Sequence, residues 1–429
     1  MCKILMRANM SPLKQYTVAE VLHKDLIGSN MGNMLFPYSI MNNLMTDDVE
    51  IDTISRFKSL SIKRIEGINR TYDFFLVPLA NAFRSSFLED LDDLSKFIEQ
   101  LKIPAIVIGV GLQKKATEAM KDTVLCESVK RFMNATLERS SMVGVRGGNT
   151  ADYLKMLGYK PEIDFTVIGC PSMYLYGDKL PENNYLGLTF QSKLSMNSKV
   201  QLKQPLHDFL YRTKQQFTDC CYVPQVIEEI RHMYYGTDSV KLLADKIPKH
   251  FPMEFGTDYM KQWKAVSFVH PEAWLDYLRE RDFSVGSRIH GNIAAILAGT
   301  PCFIVVSDKR IEELVDYHQI PHCHLKELTP ESNLLDLAEK QDFSSIYKGH
   351  KERFEHYLEF LHKNGLKTVY DYPNDASVNA KKLLKSYSEN CVLLPKDCVD
   401  KKEKRKRVLQ RTVLYENAVK VFFGMKTKF

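Results

Sequence analysis

The sequence predicts an α/β protein of two Rossmann-like domains facing a cleft, followed by a helical, basic C-terminal tail. Three observations carry this reading. Short apolar runs rich in Val, Ile and Phe alternate with segments of helical periodicity, the pattern of βα units and a parallel sheet. The 429 residues exceed what one domain of ~100–200 residues accommodates. The apolar runs also fall into two series, parted by the turn formers Gly177, Asp178, Pro181, Asn183 and Asn184. The expected divisions are residues 1–180, 181–345 and 346–429.

In the first series, strands are expected at 74–77, 105–110 and 142–145. Between the first two, Phe87, Leu88, Leu91, Leu94, Phe97, Ile98 and Leu101 recur at helical spacing, so 87–101 reads as a crossover helix. The second series places strands at 185–190, 220–223, 283–285 and 302–306. Cys220 and Cys221 read as buried packing in one of them, because free cysteine behaves as a small hydrophobe. Past Pro330 the text turns helical, notably over 346–363, where Tyr347, Phe354, Tyr357, Leu358 and Leu361 mark a face. After Asp375 it becomes polar.

Composition and charge narrow the function. With 44% hydrophobic and 26% charged residues the chain is globular rather than disordered or collagenous. Its net charge of +6 is unevenly spread. Residues 401–429 hold ten Lys/Arg against Glu403 and Glu416, a net of +8, which leaves the first 400 residues at −2. No broad basic surface remains for nucleic acid, which is not expected as a partner. Nine cysteines without a CxxC pair, an odd number, suggest reduced thiols in a cytoplasmic protein. Residues 1–16 show no apolar core of a secretory signal. The longest near-apolar stretch, 292–306, is broken by Gly299-Thr300-Pro301 and falls short of the ~20 residues a spanning helix needs.

Open α/β sheets bind ligands beyond the carboxyl ends of their strands, so residues just after strands carry most weight. Phe283 to Asn292 is the most informative segment. A buried strand ends at Val285, Gly286 permits a turn, and Arg288 and His290 follow two residues apart before a small-residue helix. In an extended segment that spacing puts both side chains on one side, beside a helix N-terminus whose free N–H groups attract anions. Such a set can hold a carboxylate or phosphate and deliver a proton. The structural alternative is a local ion pair for Arg288 and a satisfied core imidazole for His290. A second segment, 142–146, is again a strand ending in an arginine, Arg146. Gly147-Gly148 and a helix over about 149–157 follow, capped by Asn149 or Thr150. Face to face, the two domains would bring both arginines to one cleft, where their forks suit planar anions.

These residues carry a resemblance. Residues 274–278, 283–291 and 294–301 resemble the polysaccharide pyruvyl transferase family, marked by an apolar strand, a Ser-Arg-x-His-Gly motif and a helix ending in Gly-x-Pro. Asn30-x-Gly32-Asn33 is similar to the family's N-terminal Asn-x-Gly-Asp/Asn loop, and Ile108-Gly109-Val110-Gly111 to its second glycine-rich strand end. Val145-Arg146 with Thr150 and Leu157-Gly158 matches its arginine-to-helix unit, so the pattern spans roughly 18–316. Two departures stand out: Pro78-Leu79-Ala80-Asn81 where many relatives have glycines, and Asn33 in place of aspartate.

The resemblance implies a fold similar to two-domain, GT-B-type glycosyltransferases. It also implies transfer of pyruvate from phosphoenolpyruvate to a sugar of a surface polysaccharide or its lipid-linked precursor, giving a cyclic ketal and phosphate, with no further cofactor. His290 is then the expected general acid, an imidazole titrating near neutrality. Arg146 and Arg288 would bind the phosphate and carboxylate. Gly291, Asn30, Gly32, Gly109 and Gly111 would line the substrate site. Two other readings remain open: a nucleotide-sugar glycosyltransferase, whose arginines would hold a diphosphate, and a non-catalytic anion-binding protein.

Other features read more plainly. His318, His322, Cys323 and His324 lack the spacing of a zinc site and are expected in a solvated loop, so no metal is assigned. Trp263 and Trp274 are expected at helix surfaces. In the tail, Lys401 to Arg407 leads into Val408, Leu409, Val413 and later apolar residues, which suits either contact with the inner face of the cell membrane or docking on the first domain.

Overall fold

The computed structural model describes residues 1–11, 13–58, 60–183, 185–198, 204–236, 264–372 and 391–422, with side chains to residue 413. The first sheet has six parallel strands: β1 (Cys2–Arg7), β2 (Val49–Ile54), β3 (Phe74–Pro78), β4 (Ala105–Val110), β5 (Val143–Val145) and β6 (Phe165–Val167), in the order β2-β1-β3-β4-β5-β6. The second has β7 (Lys193–Asn197), β8 (Asp219–Tyr222), β10 (Phe283–Gly286), β11 (Cys302–Val306) and β12 (His322–His324), in the order β12-β11-β10-β7-β8. A short antiparallel pair, β9 (Ser267–Phe268) and β13 (Val392–Leu393), stands apart. Both large sheets reverse direction beside their first strand, β1/β3 in one and β7/β10 in the other, the switch point where a crevice opens beyond the strand ends.

The central strands are legible because both faces are covered. β4 and β11 are buried along their whole length and read as unbroken apolar runs. The crossover helix Leu88–Glu99 buries Leu91, Leu94, Phe97 and Ile98, as its periodicity requires. One apolar cluster fills one face of the first sheet, while another runs from its opposite face into the second domain.

Several expectations are corrected. Residues 185–190 form no strand; Leu186 is 95% exposed, and the sheet begins instead at β7. The text of β7 gives no apolar run because its buried positions include the polar Ser195 and Asn197, the latter spent on hydrogen bonds rather than apolar packing. β1, β2 and β6 were also unread. His322–His324 is an edge strand, and His318 is fully buried, its Nε2 accepting the Cys170 N–H at 2.9 Å, rather than part of a solvated loop. Among the described residues no group of three or more His, Cys, Asp or Glu is placed to hold a metal ion. Trp274 is 1% exposed, a core residue; Trp263 lies outside the described residues.

The C-terminal segments return to the body. After the helix His350–Lys363, Asn364 takes the main-chain N–H of Ser141 on its Oδ1 and donates to Met142 O, so this helix packs on the first domain. The helix Lys401–Phe422 instead packs on the helix Ile227–Tyr235 of the second domain. There Arg407 is 5% exposed, its guanidinium 3.8 Å from the centre of the Tyr234 ring and bonded to Leu394 O and Glu403 Oε1. No helix among the described residues is long and apolar enough to cross a membrane.

Candidate active site

The two switch points open onto one cavity of 430 Å³ between the sheets. From the first domain come Arg7 at the end of β1 and Asn9 beyond it, Leu79, Asn81 and Arg84 after β3, and Arg146 after β5; from the second come Gln225, Ser287, Arg288, His290 and Arg310. Five arginines line it, and none of the described lining residues is Asp or Glu. A concave site with this charge balance selects anions.

Arg146 is held by two features. β4 carries a bulge between Ile108 and Val110, where Gly109 adopts φ +82°, and its carbonyl accepts Arg146 Nε at 2.8 Å. Gly111 leaves room for the side chain, since a Cβ there would sit 3.0 Å from Arg146 Cδ. Arg146 is 1% exposed, and its Nη2 has no hydrogen-bond partner within the protein. The following helix, Gly148–Met156, has no side-chain cap of its own. Glu313, from the second domain, takes the Thr150 N–H at 3.0 Å and the Thr150 hydroxyl at 2.9 Å. Asn149 instead bonds Ala116 N and Lys114 O. The cap expected from Asn149 or Thr150 thus comes across the domain boundary, and a Cβ on Gly147 would strike Glu313 at 2.7 Å. Burial pushes the Glu313 carboxyl up to about 7, with Thr150 and Arg146 partly offsetting it.

Arg288 and His290 are aimed by Asn197 at the end of β7. Asn197 Oδ1 accepts Arg288 N at 2.9 Å, Asn197 O accepts Ser287 N at 3.1 Å, and Gly286 is needed because a Cβ there would lie 1.7 Å from Asn197 O. Arg288 Nε donates to Ser198 O at 2.9 Å, leaving its outer edge toward the cavity. Buried Glu229, bonded to Tyr222, acts on Arg288 from behind without forming an ion pair. His290 is 9% exposed, with its Nε2 3.7 Å from Cys170 Sγ and its ring tilted against Phe36. Burial holds this imidazole well below its usual range, and Arg146, Arg310 and Arg288 push it further the same way. The two arginines and the histidine singled out in the sequence therefore meet in one place, and the imidazole is neutral there.

The glycines have a different role from the one expected. Gly32, Gly109, Gly111 and Gly291 do not line the cavity. A Cβ on Gly32 would lie 2.7 Å from His290 Nδ1, one on Gly109 2.9 Å from Pro171, and one on Gly291 2.4 Å from Gln225 Nε2. They permit close packing behind the site. Asn30 does line it, while its Oδ1 accepts Gly32 N at 2.8 Å, and Asn33 Nδ2 ties the loop to Gly28 O at 2.6 Å. Arg7, Asn81, Arg84, Asn197, Gln225, Arg310 and Glu313 were not singled out from sequence. Arg7 ends an apolar strand and Asn81 and Arg84 follow one; Asn197 ends the polar-faced β7, and Gln225, Arg310 and Glu313 lie on loops and helices with no local signal.

The chain resembles known proteins in the same region. Among solved structures, a putative UDP-N-acetylglucosamine 2-epimerase from Listeria monocytogenes shares 11% identity over 85% of this chain and 97% of its own, with a TM-score of 0.43. An uncharacterized Klebsiella pneumoniae protein shares 14% over 75% and 92%, with a TM-score of 0.39. No curated protein matches significantly. The model of one family, polysaccharide pyruvyl transferase, matches residues 30–309, a span that begins at the Asn30 loop and contains Arg146, Arg288 and His290. On that match over most of its length, the chain belongs to the polysaccharide pyruvyl transferase family.

Proposed function

We propose that the protein transfers the enolpyruvyl unit of phosphoenolpyruvate to a saccharide and closes it to a cyclic pyruvate ketal, releasing inorganic phosphate. The observation that supports this most is the convergence of Arg146, Arg288 and Arg310 on His290 in a cavity with no carboxylate among its described lining residues. Phosphoenolpyruvate brings a phosphate and a carboxylate, and buried guanidiniums bind both through charge-assisted bonds. In the free protein burial, reinforced by the arginines, keeps His290 neutral. A bound trianion reverses their field, so the imidazole takes up a proton as the donor enters.

Protonated His290 then gives its proton to the methylene carbon while a sugar hydroxyl oxygen bonds to the neighbouring carbon, making a methyl group and a tetrahedral centre. The bond from that carbon to the phosphate oxygen breaks, and a second hydroxyl oxygen takes its place. Of the two hydroxyl protons released, one replaces the proton spent by His290 and the other leaves on phosphate. Arg146, Arg288 and Arg310 offset the charge that grows on the departing phosphate. The test is phosphate release from phosphoenolpyruvate with a saccharide acceptor. Wild type releases phosphate, and Arg288→Ala and His290→Ala lose roughly 10²-fold or more; near-normal release by either variant overturns the assignment.

The reading extends to place. None of the nine cysteines is in a disulfide, in keeping with a reducing, cytoplasmic setting. The helix Lys401–Phe422 anchors by Arg407 and turns Lys401, Lys402, Arg405, Lys406, Leu409 and Val413 outward, with Glu403 turned inward toward Arg407. Such a face suits anionic lipid and would bring a lipid-linked saccharide to the cleft.

A further inference from the structure

We infer that the Arg7–Arg84 end of the cleft is a second oxyanion site, which takes a phosphate or carboxylate carried by the acceptor saccharide. The assignment of this end to the acceptor rests on the pyruvyl-transfer reading, which puts the donor around His290.

The site is built at the switch point of the first sheet. Arg7 ends β1, and Asn81 and Arg84 follow β3. Both guanidiniums lie over the Phe87 ring, at 5.9 and 5.4 Å from its centre, so an apolar surface supports them from one side. Neither forms an ion pair among the described residues: Arg7 Nη1 reaches only Pro78 O at 3.4 Å, and the buried Arg84 Nε has no hydrogen-bond partner. Asn81, from the same loop as Arg84, is 9% exposed and lines the cavity, with both amide atoms unpartnered among the described residues. A buried amide with neither atom bonded and a buried guanidinium nitrogen without an acceptor are costly unless a ligand satisfies them.

Charge gives an independent reason for a second anion. A phosphate and a carboxylate are matched by Arg146, Arg288 and Arg310 with the protonated imidazole. Arg7 and Arg84 are in excess of that requirement, in a cavity whose described lining residues include no carboxylate to offset them. Arg146, Arg310 and Arg288 are the guanidiniums that push His290 down, and Arg310 also acts on Arg84. Asp90 is the acid that acts on Arg7 and Arg84, from outside the cavity lining.

The test is calorimetric titration of the full chain, first with phosphoenolpyruvate and then, on the loaded protein, with glucose 1-phosphate, methyl glucuronide or methyl glucoside. The loaded protein should bind one of the two anionic sugars at least about tenfold more tightly than the neutral glucoside, and which one identifies the oxyanion. Arg84→Gln should abolish that preference and leave phosphoenolpyruvate affinity within about threefold, while Arg84→Lys restores part of it. Equal binding of all three sugars overturns the inference. So does an Arg84→Gln loss as large for phosphoenolpyruvate as for the anionic sugar, since Arg84 would then belong to the donor site. If wild type fails to bind phosphoenolpyruvate yet keeps an anionic preference that Arg84→Gln removes, the second site stands and the pyruvyl-transfer reading falls.

Discussion

Glu313 Oε2 accepts the main-chain N–H of Thr150 at 3.0 Å, so a carboxylate of the second domain caps a helix of the first, one turn from Arg146. The cap fixes the two halves of the cleft at the point where Arg146 enters it. It also links the joint to pH. Burial raises the Glu313 carboxyl from its ordinary 4.5 to about 7, so the folded protein binds this proton more tightly than the unfolded chain does. The stability it contributes is present below about 4.5 and is lost as pH rises through about 7. Glu313→Gln keeps an oxygen for Thr150 but cannot ionise. Its melting temperature relative to wild type should therefore rise by about 2 °C or more between pH 5 and pH 8. A difference that is flat, or that falls with pH, refutes this account of the joint.

His290 should gain a proton when the donor binds. The imidazole of the free protein lies well below its usual range for two reasons, burial and three neighbouring guanidiniums, and a bound trianion removes the second. Titration with phosphoenolpyruvate at pH 7, in buffers of different ionisation enthalpy, should show net proton uptake in wild type and none in His290→Gln. Because the free protein must acquire the proton it uses, kcat/KM should fall as pH rises, and the variant should lose that limb. Binding without uptake would mean that another group protonates the donor.

Gly32 tests how closely His290 is held. A Cβ there would lie 2.7 Å from both His290 Cβ and Nδ1, and the glycine has no positive φ, so only space is at issue. Gly32→Ala should displace the imidazole and lower kcat by roughly 10–100-fold, while the arginines keep the KM for phosphoenolpyruvate within about threefold. An unchanged kcat would show that the ring has slack.

What the sequence disclosed and what it hid divide along physical lines. β4, β10 and β11 were readable because burial on both faces demands unbroken apolar text. Arg146, Arg288 and His290 stood out because they follow such strands directly. β7 gives no such text because two of its buried positions are the polar Ser195 and Asn197, and Asn197 aims both Arg288 and the turn before it. Glu313 looked like any acid on an amphipathic helix. Its importance lies in Thr150, 163 residues earlier, and no local pattern reports a contact of that range. The glycines expected to line the substrate site are instead positions where side chains pack closely, Gly32 against His290 and Gly291 against Gln225, contacts that no local pattern reports.

The C-terminal helix carries the last prediction. Arg407 and Glu403 face the body, and Arg407 is bonded to Leu394 O and stacked on Tyr234, so the helix is docked on the second domain whatever its outer face does. That outer face carries Lys401, Lys402, Arg405 and Lys406, with Leu409 71% and Val413 49% exposed. Each basic residue near an anionic surface contributes about 1 kcal/mol, so reversing three should weaken binding by roughly 100-fold or more. Full-length protein should pellet with vesicles rich in phosphatidylglycerol and release as salt screens the attraction. Lys402→Glu/Arg405→Glu/Lys406→Glu and, separately, Leu409→Asp should stay in the supernatant, with phosphate release on a soluble acceptor unchanged, because none of these residues reaches the cleft. Equal pelleting of wild type and the triple variant would leave the helix as a docking element alone.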